Sequence, residues 1–550
     1  LRLNDLDDAA TDRMRSYFLT DIAPLLTPVA VDLEEAAPPH IPALQITLAC
    51  LLKDDETNQT RHALVALPEG VARLIPVDAN EDHPSFLLAE DLVAAHIGSL
   101  FPNEKILATT PFRVTRNGDI AVQEEDAIDL AGEMEDVLAA RKIAETVRLE
   151  LPIPMNRDLG KFIQQLCRAS SSEVYRTRAP LDLAALMSLT GLPGFDSLRI
   201  PDWTPQHSPD ISPGEPVFDS IARRDILLHH PYESYEPVLR LLEEAADDPG
   251  VLSIKQVLYR TAKNSRVINA LIRAAENGKN VTVLVELKAR FDEARNLDRA
   301  EELQRAGAQI VYGVKGLKTH AKILMIVRRE SGSLRRYIHL GTGNYNESTA
   351  RLYTDLSILT CRPDFGSDAS LLFNAVTGRS KLLRFQRLVP APNAMKPKLL
   401  DLIADETERA RQGEPARIIA KTNSLQDPEI IAALYAASAA GVKIQLNVRG
   451  ICCLKTGSSK RTRNIQVVSI IDRFLEHSRI FYFHQGGDAE MFISSADWMG
   501  RNLDRRVELM IPIEDARIRR RLQKILDSYF RDNTQAWRIL PDGSSEKITP

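Results

Sequence analysis

The chain has 550 residues, of which 44% are hydrophobic and 26% are charged, and its formal net charge is −5. These proportions exclude a disordered chain, a collagen-like repeat and a small disulfide-stabilised domain, and they allow large buried cores. At about 150 residues per domain, the length predicts three or four domains.

Neither the apolar runs nor the cysteines indicate a membrane protein or a metal protein. The longest apolar run, residues 430–442, is shorter than the roughly 18 residues of a membrane-spanning helix. The five cysteines are odd in number and have no CxxC spacing, which predicts a reducing compartment and no metal cluster. The first residues show no signal-peptide pattern, so we expect a cytoplasmic protein.

Charge is unevenly distributed along the chain. Residues 1–150 hold 12 Lys and Arg against 28 Asp and Glu, whereas residues 251–330 hold 16 basic and 8 acidic residues. The basic middle favours a polyanion or a phosphorylated small molecule, although a solvated positive surface gives the same counts. Nucleic acid is not expected, because aromatic residues do not interleave with the basic ones.

Residues 1–206 mix the patterns of short strands and helices. They predict strands over 44–51 and 63–67 and a long helix over 126–150. Prolines recur between 201 and 216, which predicts a linker or an ordered loop there. We therefore expect a first, α+β head domain that ends at residue 206.

From residue 207 onward, apolar strand patterns alternate with helical ones. The predicted strands are 252–258, 281–285, 310–312 and 323–327, and the predicted helices are 267–277 and 295–306. This alternation is typical of an α/β sheet covered on both faces. A second boundary near Pro390 divides this part into domains 207–387 and 388–550.

The two later domains repeat the same features at an offset of 153 residues. The offset places 341–345 on 494–498 and Asp355 on Glu508, and the apolar runs after the two acids also coincide. Duplication of one α/β unit is the simplest explanation. Two such units around a pseudo-twofold axis would share one cleft.

Upstream of each repeated segment, a histidine is followed two residues later by a basic residue. These pairs are His320 with Lys322 and His477 with Arg479. Side chains two apart on a strand share a face, so each histidine and its cation should point the same way. A lone strand histidine is more often part of the core, but the matched pair favours a site built by both halves.

An imidazole is a competent nucleophile toward phosphorus when one ring nitrogen is free and the other N–H is held. We expect Asp355 to hold His320 and Glu508 to hold His477, with the protonated His477 as general acid. Three cations would neutralise phosphoryl oxygens: Lys318, Lys322 and Arg479. The constellation predicts phosphoryl or phosphatidyl transfer through a phosphohistidine.

Several other polar residues are candidates for the same cleft. His339 is a competing nucleophile, but it has no counterpart in the second half, so we expect it to pack in a strand. Asn344 lies on a tight turn of small residues and is expected to contact phosphate, although no Walker motif occurs. Three arginines follow apolar strands, where they would bind phosphate or form salt bridges at the sheet edge: Arg260, Arg290 and Arg449.

The chain resembles the long, phospholipase-D-like family of polyphosphate kinases, most strongly from 217 to 512. The matching segments are 255–260, 285–293, 316–322, 339–355 (HLGTGNYNESTARLYTD), 448–450, 474–477 and 494–506. The resemblance implies two phospholipase-D-like α/β domains behind the α+β head domain. It also implies reversible transfer of the γ-phosphate of ATP to the end of inorganic polyphosphate.

The resemblance assigns roles to individual residues. The family's phosphorylated histidine falls on His320 and its second catalytic histidine on His477. The family's nucleotide contacts fall on Tyr353, Arg449 and His477. Its Mg²⁺-associated arginines fall on Arg260 and Arg290, which we expect to hold phosphate oxygens that in turn bind Mg²⁺, because arginine has no lone pair to give.

The resemblance also carries expectations about the whole protein. Family members have a helical N-terminal domain that nothing in this chain matches, so we expect an intact chemical centre with weakened nucleotide binding. ATP, ADP and polyphosphate are the implied ligands. A homo-oligomer and a peripheral association with the inner face of the membrane are implied as well.

Two other functions fit parts of the pattern. A phospholipase-D-like phosphodiesterase would share the fold, the nucleophile and the acid. Against it, the basic excess at 251–330 suits a polyanion, and Arg479 and Asp497 stand where such a hydrolase usually has Lys and Asn. A non-catalytic polyphosphate-binding fragment is the second alternative.

Overall fold

The computed structural model describes residues 1–33, 39–77, 84–120, 130–262, 264–289, 292–314, 316–378 and 385–549. The chain divides into two compact units. One unit comprises Leu1–Val122 and Glu135–Asp202, and the other comprises Gln123–Met134 and Trp203–Pro550.

The first unit is an α+β domain with one six-stranded sheet and a separate two-stranded sheet. Its strands are β1 (Pro28–Val31), β2 (Ile46–Asp54), β3 (Thr60–Ala66), β4 (Leu74–Pro76), β5 (Phe86–Leu88), β6 (Glu104–Arg116), β7 (Thr146–Pro152) and β8 (Val174–Thr177). The helices up to residue 202 are α1 (Asp8–Tyr17), α2 (Ala89–His96), α3 (Leu130–Ile143, which spans the division between the units) and α4 (Arg157–Leu166). The six-stranded sheet has the order β1-β3-β2-β6-β7-β8, and β4 and β5 form the two-stranded sheet. Helix α4 buries Leu159, Phe162 and Ile163, spaced three and four residues apart, in the core on this sheet.

The long helix predicted over 126–150 is wrong at its C-terminal end. Helix α3 ends at Ile143, and β7 begins at Thr146; residues 126–129 lie outside the described residues. In β7, Thr146, Leu149 and Leu151 are buried, and the strand pairs antiparallel with β6. The β-branched Thr146 and its neighbour Val147 suit this pleated, half-buried surface, which outweighs the helix preference of the surrounding charged residues.

The second unit contains two α/β halves. The first half consists of α5 (Val217–Arg223), β9 (Ile226–His230), α6 (Glu236–Asp247), β10 (Val251–Leu258), α7 (Arg266–Glu276), β11 (Asn280–Val285), α8 (Glu293–Arg305), β12 (Gln309–Tyr312), β13 (Lys318–Thr319), β14 (Lys322–Glu330), β15 (Ser333–Gly341), β16 (Tyr353–Thr360) and α9 (Pro363–Thr377). The second half consists of β17 (Val389–Ala391), α10 (Met395–Arg411), β18 (Arg417–Thr422), α11 (Pro428–Ala440), β19 (Lys443–Val448), β20 (Ile465–Ile470), β21 (Leu475–Glu476), β22 (Ile480–Phe483), β23 (Glu490–Ser494), α12 (Gly500–Asp504), β24 (Arg506–Pro512), α13 (Ala516–Arg531), β25 (Ala536–Ile539) and β26 (Ser545–Lys547).

The sheets of the two halves have the same strand order. The first runs β12-β11-β10-β14-β15-β16, with β9 also on β16, and the second runs β20-β19-β18-β22-β23-β24, with β17 also on β24. In each sheet the first three strands are parallel and the following pairs are antiparallel. Equal order and direction are what a duplicated unit produces. The predicted α/β class is confirmed: two related α/β halves follow an α+β domain along the chain.

Each half also places one short strand in the sheet of the other half. Strand β13 pairs in parallel with β24, and β21 pairs in parallel with β16. His320 follows β13 directly and His477 follows β21 directly. The exchange therefore carries each histidine to the strand that holds the other half's carboxylate.

One hydrophobic core contains residues from both halves. It includes Leu356 and Ile358 of β16 and Leu509 and Ile511 of β24. Helix α13 contributes Ile518, Leu522 and Leu526, spaced four residues apart on one helix face. Each such side chain stabilises the fold by about 1.5–3 kcal/mol when fully buried. The shared core fixes the strands that carry the site.

The domain boundaries predicted at 206/207 and 387/388 stay predictions. Within the described ranges, no helix combines the length and the apolar character needed to cross a membrane.

Candidate active site

His320 lies in a two-residue break between β13 and β14, so strand alternation does not govern its direction. Its backbone N–H and that of Ala321 both donate to the carbonyl oxygen of Val507, each at 2.9 Å. Its ring nitrogen Nδ1 lies 2.9 Å from both carboxylate oxygens of Glu508. The Glu508 side chain is fully buried, and the His320 side chain is 10% exposed. Glu508 therefore fixes the imidazole through Nδ1, and Nε2 remains available to react with a substrate.

His477 is held in the same way by the first half. Its Nδ1 lies 2.9 and 3.0 Å from the carboxylate oxygens of Asp355. Its backbone N–H approaches the carbonyl and the hydroxyl of Thr354, at 3.3 and 3.2 Å. Each histidine thus has one backbone anchor and one carboxylate, all from the opposite half.

The predicted pairing of histidines with carboxylates is therefore wrong. Asp355 holds His477 rather than His320, and Glu508 holds His320 rather than His477. The cause is the strand exchange, since β13 runs beside β24 and β21 runs beside β16. Both dyads depend on both halves.

A hydroxyl group orients each carboxylate, and the prediction missed both hydroxyls. Thr342 Oγ1 donates to Asp355 at 2.5 Å and accepts from the backbone N–H of Leu356. Ser495 Oγ donates to Glu508 at 2.5 Å and accepts from the N–H of Leu509. The 153-residue offset aligns Thr342 with Ser495, so a shared hydroxyl at this position was a usable signal.

Gly343 provides the space that Asp355 occupies. A Cβ at this position would lie 2.9 Å from the Cβ of Asp355 and closer still to its carboxylate. Only a residue without a side chain fits there while the carboxylate reaches His477. The aligned residue of the second half is Ala496, so the two turns differ in how closely the acid approaches.

Lys322 and Arg479 bond to their own histidines in equivalent ways. The ammonium of Lys322 donates to the carbonyl oxygen of His320, and Nη1 of Arg479 donates to that of His477 at 2.7 Å. Arg479 also forms an ion pair with Asp497 at 3.1 Å. Both cations are buried beside the imidazoles, although the predicted strand alternation does not place them there, because both histidines lie between strands.

Burial keeps His320 neutral. Desolvation holds its pKa well below the usual value, and the charges of Lys322, Arg506, Arg479 and His477 lower it further. Burial also raises the pKa of Glu508, which donors from Ser495 and Asn502 oppose. An uncharged imidazole with a held N–H is the nucleophilic form.

The two lysines of the site have pKa values close to neutral pH. Burial, with help from Arg506, lowers the pKa of Lys318 to about 8, and burial lowers that of Lys322 to about 7. The Lys318 ammonium donates to the carbonyl oxygen of Lys288. An anion entering the site would stabilise the charged form of both amines.

His477 differs from the prediction of a protonated acid. Burial lowers its pKa, and the attraction of Asp355 only partly offsets this effect. Nη1 of Arg479 lies 3.2 Å from His477 Nε2, where the guanidinium can only donate. Without substrate, His477 is therefore a proton acceptor at Nε2.

The residues expected to contact nucleotide lie around His477. The ring centroid of Tyr353 lies 5.4 Å from that of His477. Nε of Arg449 donates to the side chain of Asn423, whose amide reaches the carbonyl oxygen of His477 at 3.3 Å. The side-chain oxygen of Asn344 is buried without a hydrogen bond to any described residue, which leaves an acceptor unused in the turn.

The family resemblance associates two arginines with Mg²⁺, and the structure describes one of them, Arg260. Arg260 forms an ion pair with Asp292 at 3.2 Å, and its guanidinium lies 5.8 Å from the ring of Tyr259. Tyr259 packs edge-on against His320 with ring centroids 5.1 Å apart. Arg290 lies outside the described residues. Tyr259 thus lies between Arg260 and His320.

His339 is packed inside strand β15. It is 1% exposed, and its Nδ1 lies 2.6 Å from the hydroxyl of Tyr345. Burial lowers its pKa to about 3. The expectation that it packs within a strand is confirmed, and it supports the turn through Tyr345.

Arg506, Tyr259 and Asn423 complete the surroundings of the two histidines, and the prediction assigned no role to any of them. Arg506 precedes Val507 on β24, the strand that receives β13, which is why it faces His320 and the lysines. No local pattern marks it, because its position depends on the exchange of strands.

A neutral imidazole, held by a carboxylate and surrounded by cations, is suited to attack on phosphorus. The combination indicates the class of protein: an enzyme that acts at phosphorus and draws its candidate site from two related α/β halves.

Comparison with known proteins identifies the family. The model of the polyphosphate kinase middle domain matches residues 9–189, that of C-terminal domain 1 matches 216–382, and that of C-terminal domain 2 matches 388–550. The polyphosphate kinase of Rhodopirellula baltica is 50% identical over 511 residues, which cover 90% of this chain and 60% of that protein. The polyphosphate kinase of Pseudomonas aeruginosa is 44% identical over 540 residues, which cover 98% of this chain and 78% of that protein.

A solved structure agrees with these matches. The crystal structure of polyphosphate kinase from Porphyromonas gingivalis is similar with a TM-score of 0.81 and 34% identity, covering 99% of this chain and 81% of that chain. The chain therefore belongs to the polyphosphate kinase family. The predictions of this family and of a phosphotransferase are confirmed.

Proposed function

We propose that this chain transfers the γ-phosphate of ATP reversibly to the end of inorganic polyphosphate through a phosphohistidine on His320. The observation that carries the proposal is the buried contact of His320 Nδ1 with both oxygens of Glu508, at 2.9 Å. It fixes the tautomer with the proton on Nδ1, so the lone pair is on Nε2.

The reaction then consists of two displacements at phosphorus. In the first, the Nε2 lone pair attacks the γ-phosphorus, and the bond to the β,γ-bridging oxygen breaks with its electron pair leaving on ADP. In the second, a terminal oxygen of polyphosphate attacks the same phosphorus, and the P–N electron pair returns to Nε2. The Nδ1 proton stays with His320 and Glu508 throughout, so His320 is regenerated unchanged.

The cations of the site stabilise the charge that develops on the transferred group. Lys322 and Arg479 are buried and lie beside the two imidazoles. Lys318 and Arg506 add positive charge on the His320 side. Because Lys322 and Arg479 are buried, their charges act more strongly on the equatorial oxygens than they would in solvent.

We assign His477 the general acid and base role. Its Nε2 accepts from Arg479 in the absence of substrate. A phosphate group that enters the site adds negative charge and raises the pKa of His477, so the ring can take up a proton there. Asp355 stabilises the resulting imidazolium, and the proton is then available to the oxygen of the departing nucleotide.

The side chains that the structure describes indicate which groups would coordinate the expected Mg²⁺. Among residues outside the undescribed gaps, no group of three or more His, Cys, Asp and Glu side chains is arranged to hold a metal ion. The described part of the chain therefore offers no cage of its own, and Mg²⁺ would be held by phosphate oxygens, whose charge it reduces. Arg260 would contact those phosphates, as would Arg290 if it follows the family pattern.

Labelling with γ-³²P-ATP tests the proposal. We expect acid-labile, base-stable label on the protein after brief exposure, mapped to His320 by mass spectrometry. His320→Ala should abolish the label, and the exposed His207→Ala should retain it. Label on another residue, or unchanged ATP–polyphosphate exchange in His320→Ala, would reject the phosphohistidine.

The same experiment separates the alternatives. A phosphodiesterase would release alcohol from a phosphodiester and take no label from ATP. A non-catalytic polyphosphate-binding fragment would do neither. The cytoplasmic location, the homo-oligomer, the peripheral membrane association and the weakened nucleotide binding stay predictions.

A further inference from the structure

A cavity lined by arginines lies mainly in the first half of the catalytic unit. Its volume is about 510 Å³. Its lining includes five arginines: Arg223, Arg224, Arg335, Arg336 and Arg362. The acidic residues of the lining are Asp225 and Asp515. Positive charge thus exceeds negative charge on the wall itself.

Four of these arginines have carboxylate partners that lie outside the lining. Arg223 pairs with Glu215, Arg224 with Asp210 at 3.0 Å, Arg335 with Glu330 at 3.1 Å, and Arg362 with both Asp364 and Glu514. A guanidinium has five N–H donors in a rigid fork, so one ion pair leaves donors for a ligand. The ion pairs hold the four guanidinium groups at the cavity wall and leave some of their N–H donors unused.

Arg336 is the exception. It is half-buried and has neither an ion pair nor a side-chain hydrogen bond with any residue that the structure describes. Its aliphatic stem packs on α9, where a Cβ on Gly366 would lie 3.1 Å from its Cβ and Cδ. A partly buried charge without a counter-charge is unfavourable, so this guanidinium is poised for an anion.

A helix terminus adds to the positive field. Helix α9 begins at Pro363 beside the cavity. Its N-cap residue, Arg362, supplies no side-chain acceptor, but Asp364 in the first turn accepts from the backbone N–H of Phe365 and offsets part of this field. The N-terminal end of a helix dipole favours negative charge.

The cavity is remote from the catalytic histidines. Ser333 lies at the cavity and Gly341, which pairs with Lys322, at the other end of β15. At about 3.3 Å per residue, these ends are roughly 26 Å apart. A phosphate bound here is therefore distinct from one bound at His320.

We propose that this cavity is a second anion site that binds phosphate groups. Bidentate guanidinium forks match phosphate oxygens, and several of them around one cavity favour a ligand with more than one phosphate. Two sources have this chemistry: a stretch of polyphosphate chain and the phosphates of a nucleotide. The inference goes beyond the proposed function and does not depend on phosphorylation of His320.

Hydrogen exchange with mass spectrometry tests the site directly. The probes are inorganic tripolyphosphate and ADP, added separately to the full chain. We expect slower amide exchange at 333–336 and 361–366, and loss of this protection in Arg335→Gln/Arg336→Gln. The matched control is Arg305→Gln, whose exposed side chain pairs with Glu301 and lies outside the cavity. Labelling of His320 should be unchanged in the double variant.

The outcomes are decisive in each direction. Protection by tripolyphosphate alone supports the site with the polyphosphate chain as its source, and protection by ADP supports it with nucleotide as its source. No protection by either probe, or protection that persists in the double variant, overturns the proposal. If the double variant melts at a lower temperature than the wild type, Arg223→Gln/Arg224→Gln replaces it under the same criteria.

Discussion

At the scale of the residue, the absence of a side chain at Gly343 is as important as the charges of the site. We expect Gly343→Ala to displace the Asp355 carboxylate from His477, because a Cβ would overlap with it. A displacement of about 1 Å in a catalytic group costs about 100-fold in rate. The measurement is the rate of ATP–polyphosphate exchange, with thermal unfolding recorded in parallel.

The aligned position supplies the control for this variant. Ala496→Gly should lower stability by about 1 kcal/mol, as replacement of alanine by glycine commonly does, and should leave the exchange rate nearly unchanged. Equal losses of rate in the two variants would mean that the close approach of Asp355 is not what matters.

A second property at this scale is the charge of Lys318. A lysine with a pKa of about 8 is mostly charged at pH 7 and mostly neutral at pH 9. Because the free enzyme then loses a phosphate contact, kcat/KM for ATP should fall as the pH rises between these values. Lys318→Arg, which stays charged, should flatten this decline.

The exposed Lys460→Arg is the control for this pH profile, because it changes the same residue type away from the buried site. A profile for Lys318→Arg that matches the wild type would assign the decline to another group.

At the scale of the element, strand β21 is anchored by a buried ion pair. Lys421 and Glu476 lie 3.1 Å apart and are 1% and 6% exposed, and Glu476 also accepts from the Thr354 hydroxyl. Glu476→Gln leaves the lysine without its counter-charge, which should lower the free energy of unfolding by about 3–5 kcal/mol. Denaturant unfolding measures this loss.

The exposed ion pair between Arg305 and Glu301 is the control for this loss of stability. Glu301→Gln removes the partner of Arg305 at the surface and should cost no more than about 1 kcal/mol. A similar small cost for Glu476→Gln would show that the buried pair does not hold β21 in place.

Strand length explains what the sequence could and could not predict. Strands β10, β11, β14 and β16 were predictable because they are long enough to show apolar runs, and the duplication was visible in the aligned acids. Strands β13 and β21 have two residues each and no periodicity. Their pairing across the halves is a tertiary property, and for this reason the partners of His320 and His477 were assigned the wrong way round.

At the scale of the whole molecule, duplication and strand exchange build two histidine–carboxylate pairs, each of which joins the two halves. Each half contains a histidine and a carboxylate, yet neither histidine is held by the carboxylate of its own half. The family and the two histidines followed from the sequence. The contacts of each histidine with the carboxylate of the other half, and the hydroxyls that bind these carboxylates, could be identified only from the three-dimensional structure.

The central claim is that Glu508, and not Asp355, supports the nucleophile. The most direct measurement is the single-turnover rate at which γ-³²P-ATP labels His320 in Glu508→Gln and in Asp355→Asn. We predict that Glu508→Gln slows labelling by about 100-fold or more at every pH, a typical loss when a group that orients an essential base or nucleophile is removed. Asp355→Asn should also slow labelling at neutral pH, because it acts on the departing nucleotide through His477, but part of its rate should return at lower pH, where His477 takes up a proton without Asp355. If Asp355→Asn abolishes the label while Glu508→Gln forms it at the wild-type rate, the crossed arrangement is contradicted.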